Sequence, residues 1–281
     1  MNNGELLKVD NVGSNKSSEP PNINIKKLGI VSHDYSCEED NKLRDFSYAF
    51  ADILKCLDNK GCNSVLFALF TLIPRNDFKI EDYLKEQKNI ELVFIEEFKE
   101  ENGNKYVIYY KLDSNWHKYC LTQKFGKLKY THKFRNEIIT PFINEVRTQR
   151  IFGNFTVLLC GESNIVKYSK KSKSVEDPFN YLKEIPINIK VILNPIHDRM
   201  TRFEMKRKRE FLSNKERYVV SVWNKGKKDK NGKVKDGKKP AWTVFYNGKE
   251  ITLEKIDDCP IASKSNIEIG VCELPCNSVP V

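Results

Sequence analysis

Short apolar runs alternate with amphipathic stretches along nearly the whole of this chain, and that alternation constrains the fold more than any other feature. Apolar cores of strand length occur in KKLGIVSHDY from Lys26, at 65–72, in IELVFIEEF from Ile90, in FTVLL from Phe155, in INIKVIL from Ile187, in RYVVSVW from Arg217 and in AWTVFY from Ala241. Between them lie helical patterns. Over 41–59, Phe46, Phe50, Ile53, Leu54 and Leu57 fall on one face, and Lys60-Gly61 supplies a stop. Helices are also expected over 78–88, 178–184 and 203–215, and a helix or irregular linker over 136–147.

Turn signals order these pieces. ENGN at 101–104 joins the third strand to KYVIYYKL as a hairpin, and Asn247-Gly248 joins 241–246 to 250–253. Short strands are expected at 118–122 and 128–131. No repeat of 20–50 residues occurs, and no linker divides the alternation, so the pattern predicts one α/β domain over 25–255. A polar, Asn-, Ser- and Pro-containing leader at 1–24 reads as disordered, and a Pro-interrupted tail occupies 256–281.

Composition narrows the function. Hydrophobic content of 40% and charged content of 31% fit a soluble globular protein of 281 residues, long enough to fold without a disulfide scaffold. The longest apolar run, SVLFALFTLI at 64–73, is half the length a membrane span needs, and the first residues lack the apolar core of a signal peptide. A cytoplasmic protein with no membrane partner is therefore expected, its eight cysteines free thiols. Cys272 and Cys276 are the closest cysteine pair, with no second pair at zinc spacing, so no metal and no cofactor are expected. The 48 Lys and Arg exceed the 38 Asp and Glu, for a net +10. That excess admits a nucleic-acid partner. Its densest stretch, Lys225 to Lys239, carries Asn-Gly and Asp-Gly turns and lacks interleaved aromatics, so it reads first as a solvated loop.

Chemistry concentrates at Cys160. A thiol that ends an apolar strand and is followed by Gly161-Glu162-Ser163-Asn164 sits where a sharp turn exposes a nucleophile. Gly161 would let the backbone approach a substrate, and the amide after the thiol could donate to an oxyanion. The plain structural reading is a cysteine packed at a strand end.

The stretch RIFGNFTVLLCGESN (150–164) resembles the nucleophile segment of the carbon–nitrogen hydrolase, or nitrilase, superfamily. VILNPIHDR resembles that family's strand ending in Asn-Pro, RYVVSVWNKG its strand ending at Asn and Gly, and WTVFYNGKEI its last hairpin. Together with the opening strand, helix and second strand, the similarity spans roughly residues 26–255. It implies a four-layer α-β-β-α sandwich and a homodimer or higher homo-oligomer. It also implies a Glu–Lys–Cys site that hydrolyses a small-molecule amide or nitrile, as an amidase or nitrilase does.

Carried over residue by residue, Cys160 is the nucleophile. GKLKYTHKF (126–134) resembles the segment with the catalytic lysine, which makes it Lys133, with Lys129 as alternate. The glutamate is missing: where the family has Pro-Glu, this chain has Pro74-Arg75, and a guanidinium accepts no proton. A substitute could come from Glu38 or Glu39, Glu96 or Glu97, or Glu137, which lies four residues after Lys133. Otherwise the domain binds and does not cleave. Gly161, Glu162, Asn194 and His197 are the expected substrate-binding residues, with Asp198 beside them. A His–Asp loop pair also reads as a local hydrogen bond, and the basic run at 202–209 as a solvated helix face or an oligomer contact.

Overall fold

The computed structural model describes residues 20, 22–34, 47–69, 78–99, 103–197, 203–226, 231–232, 240–253, 255–261 and 266–274. The first half of the chain runs β1 (Lys27–His33), α1 (Ser47–Asn59), β2 (Ser64–Phe67), α2 (Ile80–Lys85), β3 (Leu92–Lys99), β4 (Gly103–Leu112) and β5 (Asn115–Leu121). A helix follows in three parts, α3 (His132–Phe134), a π turn (Arg135–Ile139) and α4 (Thr140–Gln149). Next come β6 (Ile151–Phe152), β7 (Phe155–Val157), a 3-10 helix (Cys160–Ile165), β8 (Lys167–Ser169), β9 (Ser174–Glu176) and α5 (Tyr181–Glu184). The remainder is β10 (Val191–Pro195), α6 (Phe203–Leu212), β11 (Tyr218–Val222), β12 (Trp242–Tyr246), β13 (Lys249–Ile251) and β14 (Ile267–Glu273). This is a mixed α/β protein. Among the described residues, no helix is long and apolar enough to cross a membrane.

Two six-stranded sheets form, in the orders β14-β1-β2-β3-β4-β5 and β13-β12-β11-β10-β7-β6. Each has three parallel strands at its centre, β1-β2-β3 in one and β7-β10-β11 in the other, flanked by antiparallel strands. Period-two alternation sends one set of side chains from each sheet into a shared core, where Leu28, Ile30, Leu66, Leu92 and Phe94 meet Phe155, Val157, Leu193, Val220 and Val244. Phe94 and Phe155 cross that interface edge to face, their centroids 5.2 Å apart. Truncating either to Ala is expected to cost about 3–5 kcal/mol.

The opposite faces are covered by helices. Phe50, Ile53, Leu54 and Leu57 of α1, buried at the predicted spacing, pack with Ile80 and Leu84 of α2 on Val31, Val65, Phe67 and Val93. Burial of each such side chain stabilises by roughly 1.5–3 kcal/mol. The α1 helix stops as read, with Gly61 at φ +71° and the Cys62 N–H bonded to the Leu57 carbonyl at 3.0 Å. On the second sheet, Phe142, Val146, Tyr181 and Leu212 cover Ile192, Val219 and Phe245.

Several expectations change. No strand forms over 128–131: the Thr131 hydroxyl caps the Phe134 N–H at 3.2 Å and starts a helix, and Tyr130 stacks on Phe179. The tail does not stay outside the fold, because β14 pairs antiparallel with β1, with Ile267 and Ile269 buried on the helix-covered face of the sheet and Cys272 in the intersheet core. The strand read from Ile187 starts at Val191, leaving Ile187 exposed. The β8–β9 hairpin was not anticipated. Most of the 1–24 leader, the pair Pro74-Arg75, Glu38 and Glu39, Asp198, and most of the 225–239 loop lie outside the described residues.

Candidate active site

The parallel strands of both sheets release their chains at one end of the intersheet space, where open α/β sheets place ligands. That end is tied by hydrogen bonds between β1 and the residues after β11. Ser32 Oγ donates to the Trp223 carbonyl at 2.7 Å, and the Asn224 side chain accepts from the His33 N–H at 3.1 Å. Cys160, His197 and Glu96 come from three of these strand ends.

Cys160 stands three residues past β7. The Leu158 N–H continues the ladder to the Leu193 carbonyl at 2.9 Å, after which the chain turns sharply and Cys160 takes φ +23°. That is a left-handed conformation in a residue with a Cβ, and it persists only where surrounding contacts hold it. The clamp is Glu162, which is fully buried. Its carboxylate accepts from the Leu159 N–H at 2.9 Å, the Lys124 N–H at 2.8 Å and the Arg150 guanidinium at 2.7 Å. Arg150, also fully buried, further bonds Glu145 at 2.7 Å and the Thr122 carbonyl at 2.8 Å. Burial pushes the Glu162 carboxyl up, and Arg150 and the two backbone donors oppose that push. Glu162 therefore positions the turn from behind, with both carboxylate oxygens turned to protein donors.

His197 closes β10. The neighbouring Ile196 N–H bonds the Val222 carbonyl at 2.9 Å, and Ile196 packs with Trp223, Ala241 and Cys160. The imidazole Nε2 lies 3.0 Å from Glu96 Oε1 and 3.1 Å from Oε2, and the Cys160 thiol is hydrogen-bonded to the same ring. Burial pulls the imidazole down, but the hydrogen bonds and charges of Cys160 and Glu96 prevail and raise it to about 9.

Of the three substitute glutamates among the described residues, Glu137 is exposed and the β pleat separates Glu96 from Glu97. Leu92, Phe94 and Glu96 point into the intersheet core, whereas Val93, Ile95 and Glu97 point to the helical layer, where Glu97 bonds the Tyr109 hydroxyl. Glu96 borders a cavity of about 200 Å³ lined with Leu69, Tyr106, Leu121, Gln123, Leu159 and His197. The Tyr106 hydroxyl is buried without a hydrogen-bond partner among the described residues, and burial followed by the Glu96 charge holds it well above the usual tyrosine range.

The other expected residues are placed differently. Lys133 and Glu137 are exposed, on α3 and the π turn, and Lys129 is exposed in the preceding coil. The segment that was to carry the lysine on a strand is helical from His132, and these side chains face solvent. Asn194 is buried, donating to the Leu158 carbonyl at 2.7 Å and accepting from Ser221 Oγ at 3.1 Å, so it braces β7 against β10. Gly161 is required by the backbone of Gly126: a Cβ there would lie 2.4 Å from the Gly126 Cα. Sequence reasoning missed Arg150 and Tyr106. An acidic residue in phase with the inward apolar positions of β3 was the available signal for Glu96. Among the described residues, no group of three or more His, Cys, Asp or Glu side chains is placed to hold a metal ion.

No protein-family model matches the chain, and no curated protein matches it. Among solved structures it is similar to a carbon–nitrogen hydrolase from Helicobacter pylori G27, at 13% identity and a TM-score of 0.41, over 88% of this chain and 89% of that one. At that identity and score the likeness does not bear on what the site does.

Proposed function

We propose that this protein is a thiol-dependent hydrolase or acyl transferase acting on a small-molecule amide or nitrile, built on a nitrilase-like α-β-β-α sandwich with a rearranged site. The observation that carries the reading is His197, held between the Cys160 thiol and the Glu96 carboxylate. A thiol is a strong nucleophile as its thiolate, and an adjacent imidazole oriented by a carboxylate makes one. In this reading His197 already holds the proton of the Cys160–His197 pair at neutral pH, and the Cys160 sulfur attacks the carbonyl carbon of the amide. His197 then passes that proton to the leaving nitrogen as the carbon–nitrogen bond breaks. In the second half His197 takes a proton from water, whose oxygen displaces the thiolate from the acyl carbon. Glu96 orients the imidazole and stabilises its charged form. The Gly161 N–H, next along the chain from the thiol, is the assigned oxyanion donor. Lys133 and Glu137 have no part in this reading, and Glu162 and Asn194 act by positioning.

Residue-resolved alkylation tests it. With limiting iodoacetamide at neutral pH, Cys160 is expected to react at least tenfold faster than the exposed Cys120, and His197→Ala is expected to remove that advantage. Equal rates in the wild type overturn the reading. They would favour a second one, motivated by Arg75 at the usual glutamate position: a binding module without hydrolysis. A nucleic-acid version of that module would lose affinity steeply with salt. The hydrolase reading also carries a cytoplasmic homodimer or higher homo-oligomer without a cofactor, and sedimentation tests the assembly.

A further inference from the structure

A second pair of thiols lies far from Cys160, on the outer face of the first sheet. Cys56 is half-buried near the end of α1, and Cys259 is buried in the segment that leads from β13 towards β14. Both belong to the same apolar layer, and their side chains are hydrogen-bonded to each other. One helical turn after Cys56, Lys60 pairs with Asp258, the residue before Cys259. Two adjacent contacts thus hold 255–261 in register on α1. A cavity of about 250 Å³, lined by Asp52, Lys55, Cys56, Asn59, Pro260 and Ile261, leads from the surface to Cys56.

We infer that Cys56 and Cys259 are a modification site, a thiol pair that hydrogen peroxide converts to an intramolecular disulfide, locking the segment before β14 onto α1. In the first step the Cys56 sulfur attacks one peroxide oxygen and the O–O bond breaks, giving a sulfenic acid and one water. In the second, the Cys259 sulfur attacks the Cys56 sulfur, the S–O bond breaks, and the hydroxyl leaves as water with the Cys259 proton. The two sulfurs lose two electrons in all, and the peroxide is reduced to two waters. Cys56 is the attacking thiol because it faces the cavity, and buried Cys259 resolves the intermediate. Burial, followed by the neighbouring Cys259, pushes the Cys56 thiol up to about 12. Its thiolate fraction, and with it the oxidation rate, therefore rises about tenfold per pH unit from neutrality to pH 9.

The experiment treats the full-length protein with graded hydrogen peroxide at pH 7, 8 and 9. Remaining thiols are blocked with iodoacetamide, the protein is digested without reductant, and the peptides are weighed. The expected product is a Cys56–Cys259 linked peptide, lighter than its parts by two hydrogens, restored by dithiothreitol and formed faster at each higher pH. In Cys259→Ser the link disappears and dimedone traps Cys56 as the sulfenic acid. Should that variant fail to fold, dimedone labelling of the wild type at the shortest times serves instead, with label expected on Cys56 before the link appears. Recovery of Cys56 and Cys259 as alkylated thiols after Cys120 has been oxidised overturns the inference, as does linkage of either to a different cysteine.

Discussion

The His197 imidazole and the Glu96 carboxylate, 101 positions apart in the chain, meet at 3.0 Å where the carboxyl ends of β10 and β3 face each other. With Cys160 they hold His197 at about 9, above its ordinary 6.5. A group raised on folding stabilises fully below its unfolded value, and that stabilisation is lost as pH rises through the folded value. Resistance to urea is therefore expected to fall between about pH 6.5 and 9. The ceiling is about 3 kcal/mol, one pKa unit being worth about 1.4 kcal/mol. Glu96→Gln is expected to move the His197 NMR titration down by more than one unit and to slow Cys160 alkylation at neutral pH. A titration unchanged in the variant would remove Glu96 from the site.

Arg150 and Glu162 are both at zero exposure and bonded at 2.7 Å. Glu162→Gln leaves a buried guanidinium with Glu145 as its remaining carboxylate, and breaking such a pair costs about 3 kcal/mol. The urea midpoint should drop accordingly. Because the same carboxylate clamps the Leu159 amide, Cys160 should also lose its alkylation advantage. A loss below about 1 kcal/mol, within the range of exposed ion pairs, would contradict the clamp.

Gly161 and Gly126 approach backbone to backbone, which leaves no flexible side chain to yield to a methyl group. Gly161→Ala is expected to destabilise by about 1–3 kcal/mol in thermal unfolding. An unchanged midpoint would mean that the turn carrying Cys160 shifts freely.

Tyr106 offers a prediction of opposite sign. Its hydroxyl is buried beside the cavity with no hydrogen-bond partner among the described residues, and removing an unsatisfied group is neutral or stabilising. Tyr106→Phe should leave unfolding free energy unchanged or raise it by about 1 kcal/mol. In the proposed enzyme it should also lower kcat/KM for substrates with a hydrogen-bond acceptor in that cavity. A destabilised variant would reveal a protein partner for the hydroxyl.

The strand and helix pattern was legible locally. Alternation at Leu92, Phe94 and Glu96 and the face of Phe50, Ile53, Leu54 and Leu57 are short-range properties of the chain, and both reappear in the packing. So was Cys160 as the position where an apolar strand ends on a turn. The lysine assignment was not legible, because Lys127, Lys129 and Lys133 look alike in sequence and the segment can begin a helix as readily as a strand. The Thr131 cap on Phe134 decided for the helix.

Amino-acid order alone thus determined the central strands and helices, which of their faces are apolar and where a thiol is presented, since each depends on neighbours within a few residues. Tertiary structure decided which of the described carboxylates meets His197. Glu96 and Glu97 were chemically equivalent candidates, and a single inward-facing register of β3 against the end of β10 put Glu96 on His197 and sent Glu97 to the opposite face. It likewise drew 267–273 in as the edge strand of the first sheet. Such pairings depend on how distant strands align, and a one-residue slip would reverse every side chain.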